Sequence, residues 1–259
     1  MTNALLSSEN INFAYAGSAP ILKDFSFTLS KGEFSGLIGP NGAGKTTVFR
    51  VLSGFIPVKT GAVKLKGKNI SSYKNTERAK LLAVVPQDIF TPMPYTTRQI
   101  VEMGRVSRIS RLSVPSKSDR EHVNRSMEAM DIAHKAESLF NHLSGGEKQR
   151  ALIATAIAQE PEVLLLDEPT SSLDIGHSCH LMKLLLELNR EKQITVLIIS
   201  HDIQLAGSFC SRLILMKDGG ILSDGNPQEI LTKETIKEAY GCDVELIKNR
   251  NGRFLISPE

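Results

Sequence analysis

Glycine, lysine and threonine are concentrated in residues 39–47, whose sequence is GPNGAGKTT. The segment has the spacing G-x-x-x-x-G-K-S/T of a phosphate-binding loop, which ends here at Lys45 and Thr46. Because glycine has no Cβ, backbone N–H groups of such a loop can approach an anion closely, and the helix that follows adds its own donors and partial positive charge. We therefore expect Lys45 to contact the β- and γ-phosphates of a nucleotide and the Thr46 hydroxyl to bind Mg²⁺.

Two carboxylates follow a short apolar run, VLLL at 163–166. Asp167 ends this predicted buried strand, and Glu168 comes directly after it. Hydrolysis of a γ-phosphate needs a metal ion to neutralise charge and a base to orient water. We expect Asp167 to hold Mg²⁺ through water and Glu168 to polarise the attacking water; two acids that only cap a loop are the alternative interpretation. A glutamate beside the metal-binding aspartate favours hydrolysis over transfer to a small molecule.

A second glycine-containing segment, LSGGEKQR at 143–150, also has the pattern of an anion site. Ser144 could cap the following helix with Glu147 closing a capping box, and this interpretation is sufficient for those two residues. It does not explain Gly145 and Gly146, because each glycine in a helix costs about 1 kcal/mol. Glycines after an N-cap serine form a second anion cradle. A two-fold dimer, in which each second cradle closes over the partner's ATP, would explain two cradles and one catalytic set.

The elements that must position these residues alternate between strands and helices. INFAY and FSFTL alternate apolar and polar residues, as half-buried strands do, and EFSGLIG leads into the phosphate loop. VLLL and ITVLII (194–199) are continuous apolar runs typical of parallel strands covered on both faces, and an amphipathic helix, HLMKLLLELNREK, lies between them. The sequence predicts an α/β fold with a mostly parallel sheet flanked by helices.

Two further segments have a different character. Residues 88–142 are predicted to be a mostly helical insertion, in which Ser118 and Glu121 form a capping box ahead of a buried face carrying Val123 and Met127. The last run, VELIKNRNGRFLI, has Asn-Gly at 251–252 between two strand-like pieces and predicts a hairpin without an assigned function.

Composition and charge argue against several classes of protein. The net charge of +3 is too small to indicate a nucleic-acid binder. Basic residues do cluster at 104–120, and this cluster is either an ordinary solvated surface or a patch that binds phosphate or a membrane surface. Three widely spaced cysteines form no CxxC pair and fit a reducing compartment. The N-terminus lacks the features of a secretory signal, and the apolar runs are too short to cross a bilayer, so any membrane function is expected to go through a partner.

With its motifs in this order, the chain resembles the ATP-binding subunit of an ABC transporter over roughly residues 5–247. LSGGE matches the signature motif of that family. The resemblance implies that Tyr15 stacks on adenine and that Gln87 senses Mg²⁺ and links the site to the membrane partner. It also implies that Asp174, in SSLD, crosses the dimer interface and that His201 contacts the γ-phosphate. From the residues alone, Tyr15 would be a strand-end aromatic and His201 a structural histidine.

The expected site is large. The nucleotide-binding residues are Tyr15, Gly39, Pro40, Asn41, Gly42, Ala43, Gly44, Lys45, Thr46, Thr47, Ser144, Gly145, Gly146 and Asp174. The catalytic residues are Glu168, His201 and Gln87, and the metal ligands are Thr46, Gln87 and Asp167.

The resemblance also implies domains and partners. Residues 1–87 and 160–259 would form a β-subdomain plus P-loop core, with an N-terminal antiparallel β layer, and about 88–159 a helical subdomain with the signature motif. The expected cofactors are ATP and Mg²⁺. The expected partners are a second copy of the chain, integral membrane permease subunits and, indirectly, an extracytoplasmic substrate-binding protein, with no nucleic acid. The location would be peripheral, at the cytoplasmic face of the cell membrane.

Finer similarity favours the importer subfamily that takes up iron-siderophores, haem and cobalamin. It rests on segments such as LLAVVPQ and DGNPQEILTKETIKEAYGCDVEL. An exporter ATPase is one alternative. An ATP-switched factor acting on nucleic acid or the ribosome is less favoured, because there is one cassette and only 56 positions separate Gln87 from Leu143, without sustained heptads.

Overall fold

The computed structural model describes residues 4–87, 93–110, 113–248 and 254–258. The chain divides into two compact units, which we call the core unit (Met1–Ser72 and Thr195–Glu259) and the inserted unit (Tyr73–Ile194). The inserted unit thus interrupts the core unit in sequence. No helix in the described ranges is long and apolar enough to span a membrane.

Strands and helices follow one another along the chain. The strands are β1 (Ala4–Phe13), β2 (Leu22–Ser30), β3 (Phe34–Ile38), β4 (Thr60–Leu65), β5 (Lys68–Asn69), β6 (Leu82–Val85), β7 (Val163–Asp167), β8 (Thr195–Ile199), β9 (Arg212–Lys217), β10 (Gly220–Gly225), β11 (Val244–Lys248) and β12 (Phe254–Pro258). The helices are α1 (Lys45–Leu52), α2 (Asn75–Ala79), α3 (Thr97–Glu102), α4 (Lys117–Ala129), α5 (Gly145–Ala158), α6 (Ile175–Lys192), α7 (Ile203–Phe209), α8 (Pro227–Ile230) and α9 (Lys233–Tyr240).

The core unit has an antiparallel layer at its N-terminal end. Strands β2, β1, β4 and β5 pair in that order, each antiparallel to its neighbour. In β2, Phe25, Phe27 and Leu29 are buried while the residues between them are exposed, so the alternation seen in FSFTL has the expected structural meaning. The predicted antiparallel N-terminal layer is confirmed.

The same unit contains the strands on which the phosphate loop depends, in the order β10-β9-β3-β8. β3 is parallel to both β8 and β9, and β10 returns antiparallel to β9. All residues of β3 and β8 are buried, which fits their mostly apolar sequences. The predicted α/β fold with a mostly parallel sheet is confirmed.

The inserted unit combines a parallel strand pair with packed helices. β6 and β7 pair in register from Leu82 opposite Val163 to Val85 opposite Leu166. Helices α3, α4 and α5 pack on one another around side chains that are nearly inaccessible to solvent. Examples are Val101, Met127 and Ile153.

Helix α4 is capped by a different pair from the predicted one. Ser116 is its N-cap: its hydroxyl accepts the Asp119 N–H at 3.1 Å, and the Asp119 carboxylate accepts the Ser116 N–H at 2.9 Å. The prediction of a Ser118–Glu121 box was therefore wrong. The two pairs have the same spacing, but Asp119 also pairs with Arg105 at 3.0 Å, which favours the earlier start. The buried face carrying Val123 and Met127 is as expected, since the helical register is the same.

The C-terminal strands form the predicted hairpin. β11 and β12 pair antiparallel from Val244 opposite Pro258 to Lys248 opposite Phe254. The expected Asn-Gly turn at 251–252 lies outside the described residues. β12 lies against α7, where the Ile256 N–H donates to Gln204 Oε1 at 2.9 Å.

Candidate nucleotide-binding site

The loop between β3 and α1 has a shape that requires glycine at both ends. Gly39 has a φ of 152°, and a Cβ built on it would lie 2.4 Å from the backbone oxygen of Met216. Gly44 has a φ of 98°, and its Cβ would come within 3.0 Å of Leu22 Cδ2. At Gly42, by contrast, a Cβ would meet no described atom within 4 Å. The loop is packed closely at its two ends and open in the middle, where an anion could approach its backbone.

Lys45 is buried and holds the loop together. Its side-chain amine donates to the carbonyl oxygens of Gly39 at 2.7 Å and Pro40 at 3.0 Å, and the residue is only 6% exposed. α1 begins at this lysine, with Gly44 as N-cap; no described side chain caps its first N–H groups, and its first turn has no acidic residue. These features leave a positively polarised helix start, which suits phosphate oxygens.

The other predicted loop residues divide into an exposed and a buried set. Asn41 and Thr46 are exposed, so the Thr46 hydroxyl is on the surface where a metal-bound nucleotide could reach it. Ala43 and Thr47 are buried and support the loop from inside, while Pro40 is half-buried. Their burial argues for a structural contribution to the loop.

Tyr15 follows β1 and is half-buried. Its ring meets the ring of Phe13 edge-on at 5.0 Å between centroids, and its hydroxyl accepts a hydrogen bond from Arg50 Nη1 at 3.3 Å. Arg50 lies in the last turn of α1. Phe13 and Arg50 thus fix the orientation of the aromatic ring expected to stack on adenine.

His201 and the phosphate loop both follow the carboxyl-terminal ends of parallel strands in the core-unit sheet. Leu37 of β3 lies opposite Ile199 of β8 in a parallel pairing, and the Ser200 N–H donates to the Leu37 carbonyl at 3.0 Å. The loop starts after Ile38 and His201 comes two residues after Ile199. Carboxyl ends of parallel strands are where ligands bind in α/β sheets. His201 is exposed at this edge.

In the inserted unit, three predicted site residues lie at the carboxyl-terminal end of the parallel strands β6 and β7. Val85 lies opposite Leu166, so Gln87 and Glu168 are each two residues beyond a paired position. Asp167 is only 3% exposed, Glu168 is half-buried and Gln87 is exposed. Glu168 has a φ of 48°, in the left-handed region that non-glycine residues rarely adopt.

The signature segment starts α5 with a complete capping box. The Ser144 hydroxyl accepts the Glu147 N–H at 3.4 Å, while Glu147 Oε2 accepts the Ser144 N–H at 2.8 Å and the Ser144 hydroxyl at 2.9 Å. Lys135 lies 3.1 Å from the other carboxylate oxygen. The hydrogen bonds from Ser144 first, and then Lys135, lower the pKa of Glu147 to about 2. Glu147 is therefore an anion at any physiological pH.

The segment 172–177 lies beside the two signature glycines. A Cβ on Gly145 would be 3.6 Å from the Ser172 carbonyl oxygen, and one on Gly146 would be 3.5 Å from His177 Cδ2. Asp174 caps α6 by accepting the His177 N–H at 2.8 Å, and its other oxygen lies 2.7 Å from His177 Nδ1. These hydrogen bonds lower the pKa of Asp174. Ser144, both glycines and Asp174 therefore lie together in the inserted unit.

A family model described as ABC transporter matches residues 22–171, which is more than half of the chain. The chain belongs to the ABC transporter family. The matched region includes the phosphate loop, the signature segment and the two carboxylates at the end of β7, Asp167 and Glu168. The prediction of this family from LSGGE and the order of the motifs is confirmed, and with it the prediction of an ATPase.

Curated relatives of the ABC transporter family resemble the chain over nearly its whole length. The ferric enterobactin transport ATP-binding protein FepC of Escherichia coli is 38% identical over 244 residues, which cover 94% of this chain and 90% of FepC. The hemin import ATP-binding protein HmuV of Vibrio parahaemolyticus is 36% identical over 246 residues, covering 93% and 92%.

Solved ABC transporter structures share the fold. One, of an ABC transporter in an inward-facing conformation, has a TM-score of 0.85 and 28% identity, covering 99% of this chain and 97% of that one. Another, the ATP-binding cassette MJ0796 in a dimeric, post-hydrolysis state bound to ADP and Pi, has a TM-score of 0.74 and 28% identity, covering 86% and 98%.

The residues present fit ATP. The loop offers backbone donors at an open glycine, a buried lysine amine and an uncapped helix start, the donor set that phosphate oxygens require. For Mg²⁺, the described residues contain no group of three or more His, Cys, Asp or Glu that could hold a metal ion. One carboxylate, one hydroxyl and one amide suit Mg²⁺, because this ion keeps several waters and takes phosphate oxygens as ligands.

Three side chains that contact predicted site residues or the capping residue Glu147 were missed by the sequence interpretation: Arg50, Lys135 and His177. Arg50 meets Tyr15, although the two are 35 positions apart in the chain. Lys135 meets Glu147 from a single helical turn, Ala133–Lys135. Only His177 carried a local signal, since it is three residues after a helix-capping aspartate.

Proposed function

We propose that this ABC ATPase works as a homodimer that closes around two ATP molecules and drives a membrane permease for import. The observation that carries the proposal is the space at Gly145 and Gly146. Every neighbour that a Cβ would meet there lies at 3.5 Å or more, an ordinary contact distance. An alanine would therefore fit in the single chain.

Neither glycine is thus required by the chain's own packing, although Gly146 is buried and Gly145 is the exposed one of the two. Glycine is worse than alanine in a helix by about 1 kcal/mol, yet two stand in the first turn of α5. At Gly39, by contrast, the surrounding backbone of the same chain leaves no room for a side chain. A surface kept free of side chains at a helix start suits close approach of an anion from outside the chain. In our proposal, this anion is the triphosphate bound to the partner's phosphate loop.

Each residue then has a defined task in the closed dimer. Lys45 and the loop N–H groups bind the phosphates, Tyr15 positions adenine, and Ser144 with its glycines contacts the partner's triphosphate. Glu168 orients the attacking water and His201 holds the γ-phosphate. Thr46, Asp167 and Gln87 would hold Mg²⁺, which neutralises charge on the transferred phosphate when bound. Asp174 contacts the partner across the interface.

The driving force is differential binding. ATP favours the closed dimer only to the extent that its phosphates contact both copies there and one copy in the open state. Hydrolysis and release of phosphate remove that difference, and the copies separate. We propose that the helical insertion, which begins near Gln87, transmits this opening and closing to permease subunits at the cytoplasmic face of the membrane.

The direction and cargo of transport are inferred from the relatives. FepC and HmuV are named for ferric enterobactin transport and hemin import. We propose that this chain serves uptake of an iron-siderophore, haem or cobalamin-type cargo, delivered by an extracytoplasmic binding protein. Export, or action on nucleic acid, is not favoured by these relatives. Transport of ferric siderophore, haem and cobalamin by the chain with its co-purified permease, in vesicles, tests the cargo class.

The dimer proposal is tested with Glu168→Gln. We expect ATP turnover to fall by at least about 100-fold, because the water loses its base. The variant should sediment as a dimer in saturating Mg-ATP, because the closed state forms but does not turn over. Glu187→Gln, an exposed change in α6, is the matched control and should behave as the parent. A Glu168→Gln chain that remains monomeric in saturating Mg-ATP contradicts the proposal.

A further inference from the structure

Ser144, Gly145 and Gly146 form the proposed anion site of the signature motif, which we call the signature cradle. The negatively charged side chain of Glu147 adjoins it. The Ser144 hydroxyl donates to Glu147 Oε2 at 2.9 Å, so the carboxylate is directly bonded to the group expected to contact the partner's triphosphate. A phosphate oxygen that accepts the single proton of this hydroxyl in place of Glu147 would still lie within about 6 Å of that carboxylate oxygen. Like charges at this separation repel, so Glu147 by itself would oppose the binding of ATP.

Lys135 lies where it can cancel this charge. Its amine is 3.1 Å from Glu147 Oε1, on the side of the carboxylate away from the Ser144 bonds. Both groups are partly shielded from water, with side chains 37% and 18% exposed, so the pairing is less screened than a fully exposed one. Lys135 lies in a turn 12 residues before Glu147, and it belongs to neither the phosphate loop nor the signature motif.

The start of α4 provides an internal comparison. Ser116 and Asp119 form the same kind of box, and Arg105 lies 3.0 Å from Asp119. That helix has lysine and serine in its first turn where α5 has two glycines. A cation on a capping carboxylate is therefore compatible with a purely structural role. Of these two helix starts, α5 is the one where the pair adjoins an exposed glycine, Gly145, and in our proposal the charge balance there also acts on a ligand.

We propose that Lys135 is a positioning residue for ATP-dependent closure, which holds the Glu147 carboxylate and cancels its charge so that the signature cradle accepts a phosphate. The proposal rests on the function proposed above and adds to it a residue outside the motifs. It makes a specific claim about electrostatics: Lys135 is needed only while residue 147 is negatively charged.

The test measures the ATP concentration that gives half-maximal dimer in full-length chains carrying Glu168→Gln. Adding Lys135→Met should raise this concentration about 10-fold, since the bare carboxylate then faces the triphosphate. Adding Glu147→Gln alone should leave it unchanged or lower it. Combining Lys135→Met with Glu147→Gln should return it to within about 2-fold of Glu147→Gln alone, which is the signature of pairwise coupling. Lys135→Arg should also restore closure, and the effect of Lys135→Met should shrink at high salt.

Lys64→Met is the matched control. Lys64 is also 37% exposed and lies 2.7 Å from Glu9, in the antiparallel layer of the core unit, and its loss should not change closure. Thermal melts establish that each variant is folded. Equal loss of closure in Lys135→Met with and without Glu147→Gln would overturn the charge role, as would normal closure of Lys135→Met. If the Glu168→Gln parent itself fails to close with ATP, the dimer proposal and this one both fall.

Discussion

Two helix starts in this chain are expected to bind phosphate, and they are built in opposite ways. α1 begins after Gly44 with no capping side chain among the described residues and with a buried lysine at its first position. α5 begins with Ser144 and Glu147 bonded to each other in a closed box. The first start has no side chain that competes for its N–H groups, whereas at the second the box takes up the N–H groups of Ser144 and Glu147. The N–H groups of Gly145 and Gly146 take no part in the box.

The glycines differ between the two starts in the same sense. Gly39 is required by backbone packing, and Gly145 is not. The phosphate loop is thus specified by the fold of the single chain. The signature glycines are not required by the packing of the single chain, and in our proposal a contact with a second copy explains them. The predictions below test this difference.

The largest effect is expected from Gly39→Ala. Its Cβ would lie 2.4 Å from the Met216 carbonyl oxygen, so backbone must move. We expect the free energy of unfolding to fall by about 3 kcal/mol, and ATP binding to be lost. Urea denaturation and titration with a fluorescent ATP analogue measure the two. Gly67→Ala, which also has a positive φ but meets no described atom within 4 Å, should cost only about 1 kcal/mol and leave binding intact.

Gly145→Ala should have the opposite signature. The single chain accommodates the methyl group, so its stability should be unchanged or increase by up to about 1 kcal/mol. ATP binding to the phosphate loop should be retained, and ATP-dependent dimerisation of the Glu168→Gln chain should be weakened at least about 10-fold, since the methyl group blocks a phosphate. Destabilisation comparable with that of Gly39→Ala would remove the distinction between the two glycine sites.

The smallest expected effect is the loss of thermal stability at acidic pH that results from protonation of the capping carboxylates. Hydrogen bonds from Ser116, followed by Arg105, lower the pKa of Asp119 to about 2, and Glu147 behaves similarly. Because these folded-state values lie below the unfolded ones, the carboxylates stabilise the fold above about pH 4, and this contribution is lost as pH falls toward about 2. Thermal melts should show a decline over that interval. Asp119→Asn should make the decline shallower, whereas Glu187→Gln should not.

Much of the site could be predicted from local sequence. The spacing from Gly39 to Thr46 specifies the phosphate loop, because glycine geometry and a helix start are local properties. Likewise, the continuous apolar runs of β7 and β8 predicted buried parallel strands. The roles assigned to Tyr15 and Asp174 came from resemblance to the family and remain predictions. Their local sequences alone indicate a strand-end aromatic and a helix cap.

What could not be predicted depends on contacts between distant segments or on equivalent local choices. Ser116–Asp119 and Ser118–Glu121 have the same spacing, and Arg105, 14 positions before Asp119, helps to decide between them. The segment between Lys135 and the start of α5 is irregular, so no periodic pattern in the sequence predicts that Lys135 contacts Glu147.

The buried amine of Lys45 has a consequence for how tightly a nucleotide binds. By bonding to the carbonyls of Gly39 and Pro40, it keeps the loop in a preorganised, hollow shape before any ligand arrives. The entropy of ordering this backbone is lost during folding, so it is not subtracted from the affinity for the nucleotide. The arriving triphosphate meets a cation that is already in place beside the loop.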